Sequence, residues 1–462
     1  MANTRGTFSS KLGLILASAG SAVGLGNLWR FPSVTGQNGG SAFLLVYILC
    51  VIVFGLPVMI SEFMIGRSSR VSVGRSYNVL APGTWWKWIG RMQVLTPLLI
   101  LCYYNVVAGW TLWYLYEAVI GGFQSMDIST GAVVYKDFFN SFVGNWWQSL
   151  VCLLLFTLAT HYVIVQGVSK GIERASKVMM PGLFILLLVL MISSLGMSGA
   201  SDGLAFLFKP DFSKLTTQGV LSALGQAFFS LSLGMGILTT YASYFSEDAD
   251  LGKTSLSIAG IDTLVAIMAG MFIFPAVFTA GIDPAESGPS LLFVALPSVF
   301  QESFGSIPIL SWVVSISFFG LLVLATLTST ISIHEVVTSY ISEAAHISRR
   351  RAALIVSGFT CTIGILCALS MGAMSGVLNI GGINFFDILD YITAKLLLPI
   401  GGMLISVFAG WKLSHHIWWK QMTNNGTKAY PLFAVSIFIV KWICPIGILI
   451  IFLNELGLFK NL

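Results

Sequence analysis

The chain has 462 residues, of which 56% are hydrophobic and only 9% charged, against about 25% charged in a soluble domain. Its mean hydropathy of +0.87 leaves too little polar side chain to cover a water-facing surface, which excludes a soluble globular fold and points to an all-α, polytopic membrane protein. The net charge of +5 is a topology signal, set out below, and gives no footing to nucleic-acid binding.

A span needs about 20 apolar residues to cross a hydrocarbon core about 30 Å thick. Eleven segments qualify, near 11–36, 40–66, 89–122, 147–165, 177–197, 217–245, 254–281, 306–341, 352–370, 385–411 and 431–453. The ten residues from Met1 to Ser10 are polar, and the first apolar run far exceeds a signal-peptide core, so no cleaved leader is expected.

The first segment is interrupted at Gly20-Ser21-Ala22-Val23-Gly24-Leu25-Gly26-Asn27. Within a bilayer no water satisfies freed backbone groups, so an unwound stretch survives only where protein, ligand or a polar cavity supplies partners. The sixth segment has a matching interruption, Ser230-Leu231-Ser232-Leu233-Gly234-Met235-Gly236. Paired Gly-interrupted spans in the two halves of a chain point to the midplane binding site of a secondary transporter.

Loop charges set the orientation. With the N-terminus inside, 17 of the 24 Lys and Arg fall in cytoplasmic segments; Lys136, Lys209, Lys214 and Lys460 lie opposite, and Arg30, Lys395 and Lys441 lie within spans. A plasma-membrane protein with a cytoplasmic N-terminus and an external C-terminus is expected. The six cysteines sit in apolar segments without metal-ligand or CxxC spacing and read as core residues, with no structural disulfide expected.

Enzyme motifs are poor. His334-Glu335 opens like HExxH, but Thr338 stands where the second His is required. Gly24-Leu25-Gly26 lacks the third glycine of a dinucleotide fingerprint, and Asp387 and Asp390 share a helix face with no nucleophile beside them. The chain is therefore not expected to be an enzyme.

The stretch from Lys11 to Pro32, KLGLILASAGSAVGLGNLWRFP, resembles the first span of the neurotransmitter:sodium symporter family. The resemblance continues through Asn38 to Phe43, Tyr47, Glu62, the Tyr103-Tyr104 pair, Gly171 to Arg174, Phe228 to Gly236, Thr240 to Tyr244 and Ala325 to Thr330, covering at least residues 5–412. It implies an inverted repeat of five plus five spans, about 11–197 and 217–411 within a core of 1–429, with an eleventh span in 430–462. Inverted repeats with broken helices are a general description of this family.

The resemblance also implies a site. Free carbonyls suit a hard cation such as sodium. One ion would take the carbonyls of Gly20, Val23 and Ala325 with the hydroxyls of Thr328 and Ser329; a second would take the Ala22 carbonyl, Asn27, Ser230 and Asp262. Half-helix N-termini near Leu25 and Gly26 suit a carboxylate, joined by the Tyr104 hydroxyl, while carbonyls at Ala22, Phe229, Ser230 and Ser232 suit an ammonium group. That describes an α-amino acid. Its side chain would lie among Val23, Ile100, Phe229, Ser232, Met235, Ser329 and Ile333.

Where the family's bacterial leucine transporter has Phe, this chain has Met235, unbranched and able to yield to a ring. An aromatic substrate such as tyrosine, tryptophan or phenylalanine is therefore expected ahead of an aliphatic one, and a non-transporting sensor is the third reading. By the same resemblance Arg30 and Asp390 form an outer gate, and Arg5, Glu343 and Tyr241 or Tyr244 an inner one. Tyr47, Gln226 and Ser230 match a chloride-binding set, but Asp262 brings a fixed carboxylate there, so chloride independence is expected. Sodium, the amino acid and the bilayer are the expected partners, with the chain a monomer or homodimer.

Overall fold

The computed structural model describes residues 6–126, 133–286, 291–430 and 433–458. Among them nine helices are long and apolar enough to cross a membrane, and the pair Lys11–Ala22 and Gly26–Gln37, bent by 51°, makes a tenth. The helices Thr217–Ser230 and Ile237–Ala242 flank the second break and fill the sixth predicted segment. Both interruptions thus fall where the glycines lie, in the first and sixth spans.

One boundary moved for a physical reason. The fifth span begins at Val168, well before the hydropathy onset at 177, because its charged first turn is satisfied by the N-terminal segment. The Ser9 N–H and the Ser9 and Ser10 hydroxyls donate to Glu173 at 2.7–2.8 Å, and Lys177 pairs with it at 2.7 Å. Hydropathy rejects such a turn, whereas mutual satisfaction keeps it helical.

The connections hold helices too short for a membrane-length window: Val73–Leu80, Val133–Gly144, Ala200–Phe208, Leu296–Phe304 and His415–Met422. Among the described residues the one antiparallel hairpin, Asn379–Ile380 with Ile383–Asn384, lies in a loop of an otherwise helical chain. Gly381 and Gly382, at φ 63° and 87°, supply its left-handed turn.

The site is framed by the two long helices Lys87–Ile120 and Pro308–Ala344, the third and eighth spans. A buried hydrogen-bonded string fixes the eighth span to its neighbours. Ser357 meets His334 Nε2 and His161 Nδ1, each at 2.9 Å; Thr338 meets His334 Nδ1 at 2.8 Å; and Thr160 meets Thr330 at 3.0 Å. Three of these bonds are interhelical; such bonds average about 0.6 kcal/mol each in a bilayer, so the three matter mainly by fixing register. His334 is thereby a polar link between the fourth, eighth and ninth spans.

The end of the bundle near the N-terminus is sealed. Phe8 packs its ring against Tyr241, Tyr244 and Phe245 at 5.9–6.3 Å. The Tyr244 hydroxyl donates to Glu335 at 2.6 Å, and Arg349, opening the ninth span, grips the same carboxylate with both terminal nitrogens. Removing one partner of such a buried pair costs roughly 3–5 kcal/mol, because the other is left uncompensated.

Candidate functional site

At the first break Val23 leaves the helix with ψ 108°, and the following N–H groups are diverted to side chains. The Gly24 N–H donates to Asn27 Oδ1 at 3.0 Å, and the Leu25 backbone meets the Tyr104 hydroxyl, which also bonds Ser329. The carbonyls that would have taken those protons are released. The Ser21 carbonyl accepts from Ser232 Oγ at 2.8 Å, linking the two breaks, and the Val23 carbonyl faces Thr328 Oγ1 at 3.5 Å. The Gly24 and Leu25 donors thus keep partners after leaving the helix, as a low-dielectric interior requires.

The second break turns through three left-handed residues, Ser232 (φ 53°), Gly234 (φ 87°) and Gly236 (φ 72°). Ser232 is the strained one, since a side chain disfavours this region. Glu62 serves the freed amides: it accepts from the Gly234 N–H at 2.9 Å, the Thr239 N–H at 3.3 Å and the Thr239 hydroxyl at 3.1 Å. This fully buried acid is thus a backbone acceptor for the break.

The residues predicted to surround two cations fall into two groups. In the first, Thr328 Oγ1 lies 3.0 Å from the Ala325 carbonyl and 3.5 Å from that of Val23, and its side chain abuts Gly20. Ser329 lies one residue on, with its hydroxyl against Gly24 and Tyr104. In the second, Asn27 Nδ2 and Ser230 Oγ each donate to Asp262 at 2.7 Å, and Tyr47 reaches it at 3.3 Å. The Asn27 carbonyl oxygen faces Gly24 N–H, where the resemblance puts it on a cation; its second lone pair leaves both roles open to it. Both donor sets, carbonyl, hydroxyl, amide and carboxylate oxygens, have the hard-ligand chemistry a group-one cation takes. Gln226, the third chloride-set residue, instead holds the Gly26 carbonyl at 3.2 Å.

Between these groups lies a cavity of about 480 Å³, within the usual range for a small-molecule site. Its floor includes Ala22, Leu25, Gly26, Tyr104 and Ser329; its walls include Ile100, Phe229, Ser232, Met235 and Ile333. Val23 does not line it. That residue is fully buried and contributes its carbonyl on the Thr328 side.

The cavity runs on toward the C-terminal end of the bundle, past Arg30 and Asp390. Arg30 and Asp390 form no ion pair among the described residues; the Arg30 guanidinium instead stands 4.2 Å over the Phe229 ring. Of the other predicted gate, Arg5 lies outside the described residues. Glu343 accepts from the Ser72 N–H and hydroxyl at 2.9 and 2.7 Å, while Tyr244 goes to Glu335.

Sequence reasoning missed several cavity residues: Trp29, Ser33, Val107, Phe386, Lys395 and Glu455. Phe386 could have been found, since it precedes the Asp387/Asp390 pair by one residue. Glu455, at the far end of the eleventh span, had no local signal. Two lysines unexplained by hydropathy are now accounted for: Lys395 pairs with Glu455 at 3.8 Å, and Lys441 lies 4.6 Å from the Trp411 ring and 5.8 Å from that of Trp442.

Comparison with known proteins identifies the family. The sodium:neurotransmitter symporter family profile matches residues 5–125 and 137–462. An uncharacterized sodium-dependent transporter, YhdH, of Bacillus subtilis (strain 168) is 37% identical over 98% of each chain. The sodium-dependent serotonin transporter of Drosophila melanogaster is 28% identical over 83% of this chain and 67% of its own. The crystal structure of MhsT in complex with L-phenylalanine superposes with a TM-score of 0.87 at 43% identity, covering 98% of this chain and all of that one. The chain belongs to the sodium:neurotransmitter symporter family, a family of multi-pass, sodium-dependent membrane transporters.

Proposed function

We propose that the protein imports a hydrophobic, aromatic α-amino acid together with two sodium ions, by alternating access and without chloride. The observation that carries this reading is the cavity lined by both helix breaks, which brings Tyr104, Ser329 and backbone polar groups of the first break together with the apolar side chains of Met235, Ile100 and Ile333. Polar groups at the floor match the two charges every α-amino acid shares; the apolar wall is where substrates differ. MhsT, similar over nearly the whole chain, was crystallised with L-phenylalanine, which supports an aromatic side chain there.

On this reading the two repeats, 11–197 and 217–411, rock about the site, and 430–462 adds the eleventh span. The sealed N-terminal end is cytoplasmic and the cavity opens outward. Each sodium ion moving down 100 mV releases about 2.3 kcal/mol, so two ions support an accumulation on the order of a thousandfold.

A thermal-shift scan of all amino acids, in sodium and in potassium, tests the reading directly. Stabilisation by aromatic amino acids in sodium alone is expected; stabilisation by none, or equally in potassium, overturns it. Counterflow in proteoliposomes distinguishes a transporter from a sensor.

Two substitutions probe the pocket. A Cβ at position 24 would stand 2.5 Å from Ser329 Oγ and 3.5 Å from the Tyr104 hydroxyl. Gly24→Ala is therefore expected to weaken substrate binding about tenfold or more, near 1.4 kcal/mol, as read by isothermal titration in saturating sodium. Met235→Phe should shrink the apolar end and move the aromatic-to-leucine affinity ratio toward leucine by about tenfold, the scale of a methylene or two in a tight pocket. An unchanged ratio counts against aromatic selection by this residue.

A further inference from the structure

The mouth of the cavity carries more charge than the two-residue gate requires. Arg30 lines the cavity together with two carboxylates, those of Glu455 and Asp390. Arg30, Phe229 and Glu455 also line a narrow crevice between the sixth, tenth and eleventh spans that Asp390 does not reach. On its other side Glu455 meets Lys395 at 3.8 Å. Asp390 is engaged by Tyr103, whose hydroxyl also lies 3.2 Å from Thr393.

We propose that Glu455 is a positioning residue for the outer gate, holding Arg30 beside Phe229 in the open state and releasing it to Asp390 on closure. This rests on the reading of Arg30 and Asp390 as that gate. An ionisable group within a membrane span must stay compensated in every state it visits. In the open state Arg30 has Glu455 across the crevice and the Phe229 face beneath it. In the closed state Arg30 has Asp390, and Glu455 keeps Lys395. The eleventh span, outside the two repeats, thereby supplies the counter-charge that lowers the cost of breaking the Arg30–Asp390 pair. Removing it favours closure.

The test uses the full chain in proteoliposomes with Val107→Cys, a position that lines the cavity, as reporter, read against the same protein without it so that the six native cysteines are subtracted. The readout is its modification rate by a charged methanethiosulfonate in sodium, with and without phenylalanine. Glu455→Gln should slow modification in sodium alone about fivefold, the lower end of usual coupling between sites, and tighten phenylalanine binding. Glu455→Asp should restore the native rate. Lys395→Gln, which frees Glu455 for Arg30, should speed modification, as should Asp390→Asn. An unchanged rate in Glu455→Gln beside a changed one in Asp390→Asn overturns the role of Glu455 alone. No change in Asp390→Asn overturns the gate reading itself, and the proposal with it. If Glu455→Gln does not fold, an unchanged rate in Lys395→Gln overturns the proposal.

Discussion

Uptake by the native protein should be the same in chloride and in gluconate, whereas Asp262→Asn should transport well only in chloride, with at least about a tenfold loss in gluconate. Asp262 is fully buried and receives three hydrogen bonds, from Asn27 and Ser230 at 2.7 Å and from Tyr47 at 3.3 Å. Those donors suit an anion, and the carboxylate is already there. Two unit charges 4 Å apart attract by roughly 4 kcal/mol at an effective dielectric constant near 20, so a carboxylate beside a sodium site carries a large share of the ion's stabilisation. Asn keeps the shape and two of the contacts but removes the charge. A diffusible chloride, held by Tyr47, Ser230 and Gln226, could then replace it. Gln226 can contribute through its amide nitrogen: one of its two N–H groups holds the Gly26 carbonyl at 3.2 Å, which leaves the other to donate to the anion. Strong chloride dependence of the native protein would refute the assignment, and so would an Asp262→Asn protein indifferent to chloride.

How much of this was legible in the sequence follows from the range of the interactions involved. The helix breaks were, because glycine acts locally: Gly234 and Gly236 have left-handed φ in the structure, and their spacing in an apolar run announces it. The spans were legible to within a few residues for the same reason, except where a charged turn such as Val168–Glu173 is rescued by a partner far along the chain. The cation and substrate residues came from a motif resemblance; hydroxyls such as Thr328, which bonds back to Leu324 and Ala325, look like ordinary helix residues in isolation. Glu62 was recognisable as an intramembrane acid, but not as the acceptor for amides about 170 residues away. Glu455 and Lys395 were beyond reach, since neither carries a motif and their meeting is set by how the tenth and eleventh spans pack.

Changing Thr328 and Ser329 together to Ala should abolish most sodium-dependent uptake, by tenfold or more on the order of 1.4 kcal/mol per decade, in a protein that still folds. Folding survives because both residues sit in the long helix Pro308–Ala344, where Ala is the better helix former, and because the Thr328 hydroxyl bonds only to backbone carbonyls, a loss of about 1 kcal/mol. Binding does not survive, since that hydroxyl stands among the Ala325 and Val23 carbonyls, where a cation would need it. The single variants separate two roles. Thr328→Ala should raise the sodium concentration for half-maximal uptake while leaving phenylalanine affinity near native once sodium is saturating. Ser329→Ala should alter both, because its hydroxyl also bonds Tyr104 at the floor of the cavity. Sodium titrations of uptake at fixed phenylalanine, beside phenylalanine titrations at fixed sodium, read the two effects separately. Full sodium-dependent transport by a well-folded double variant would place the cation elsewhere.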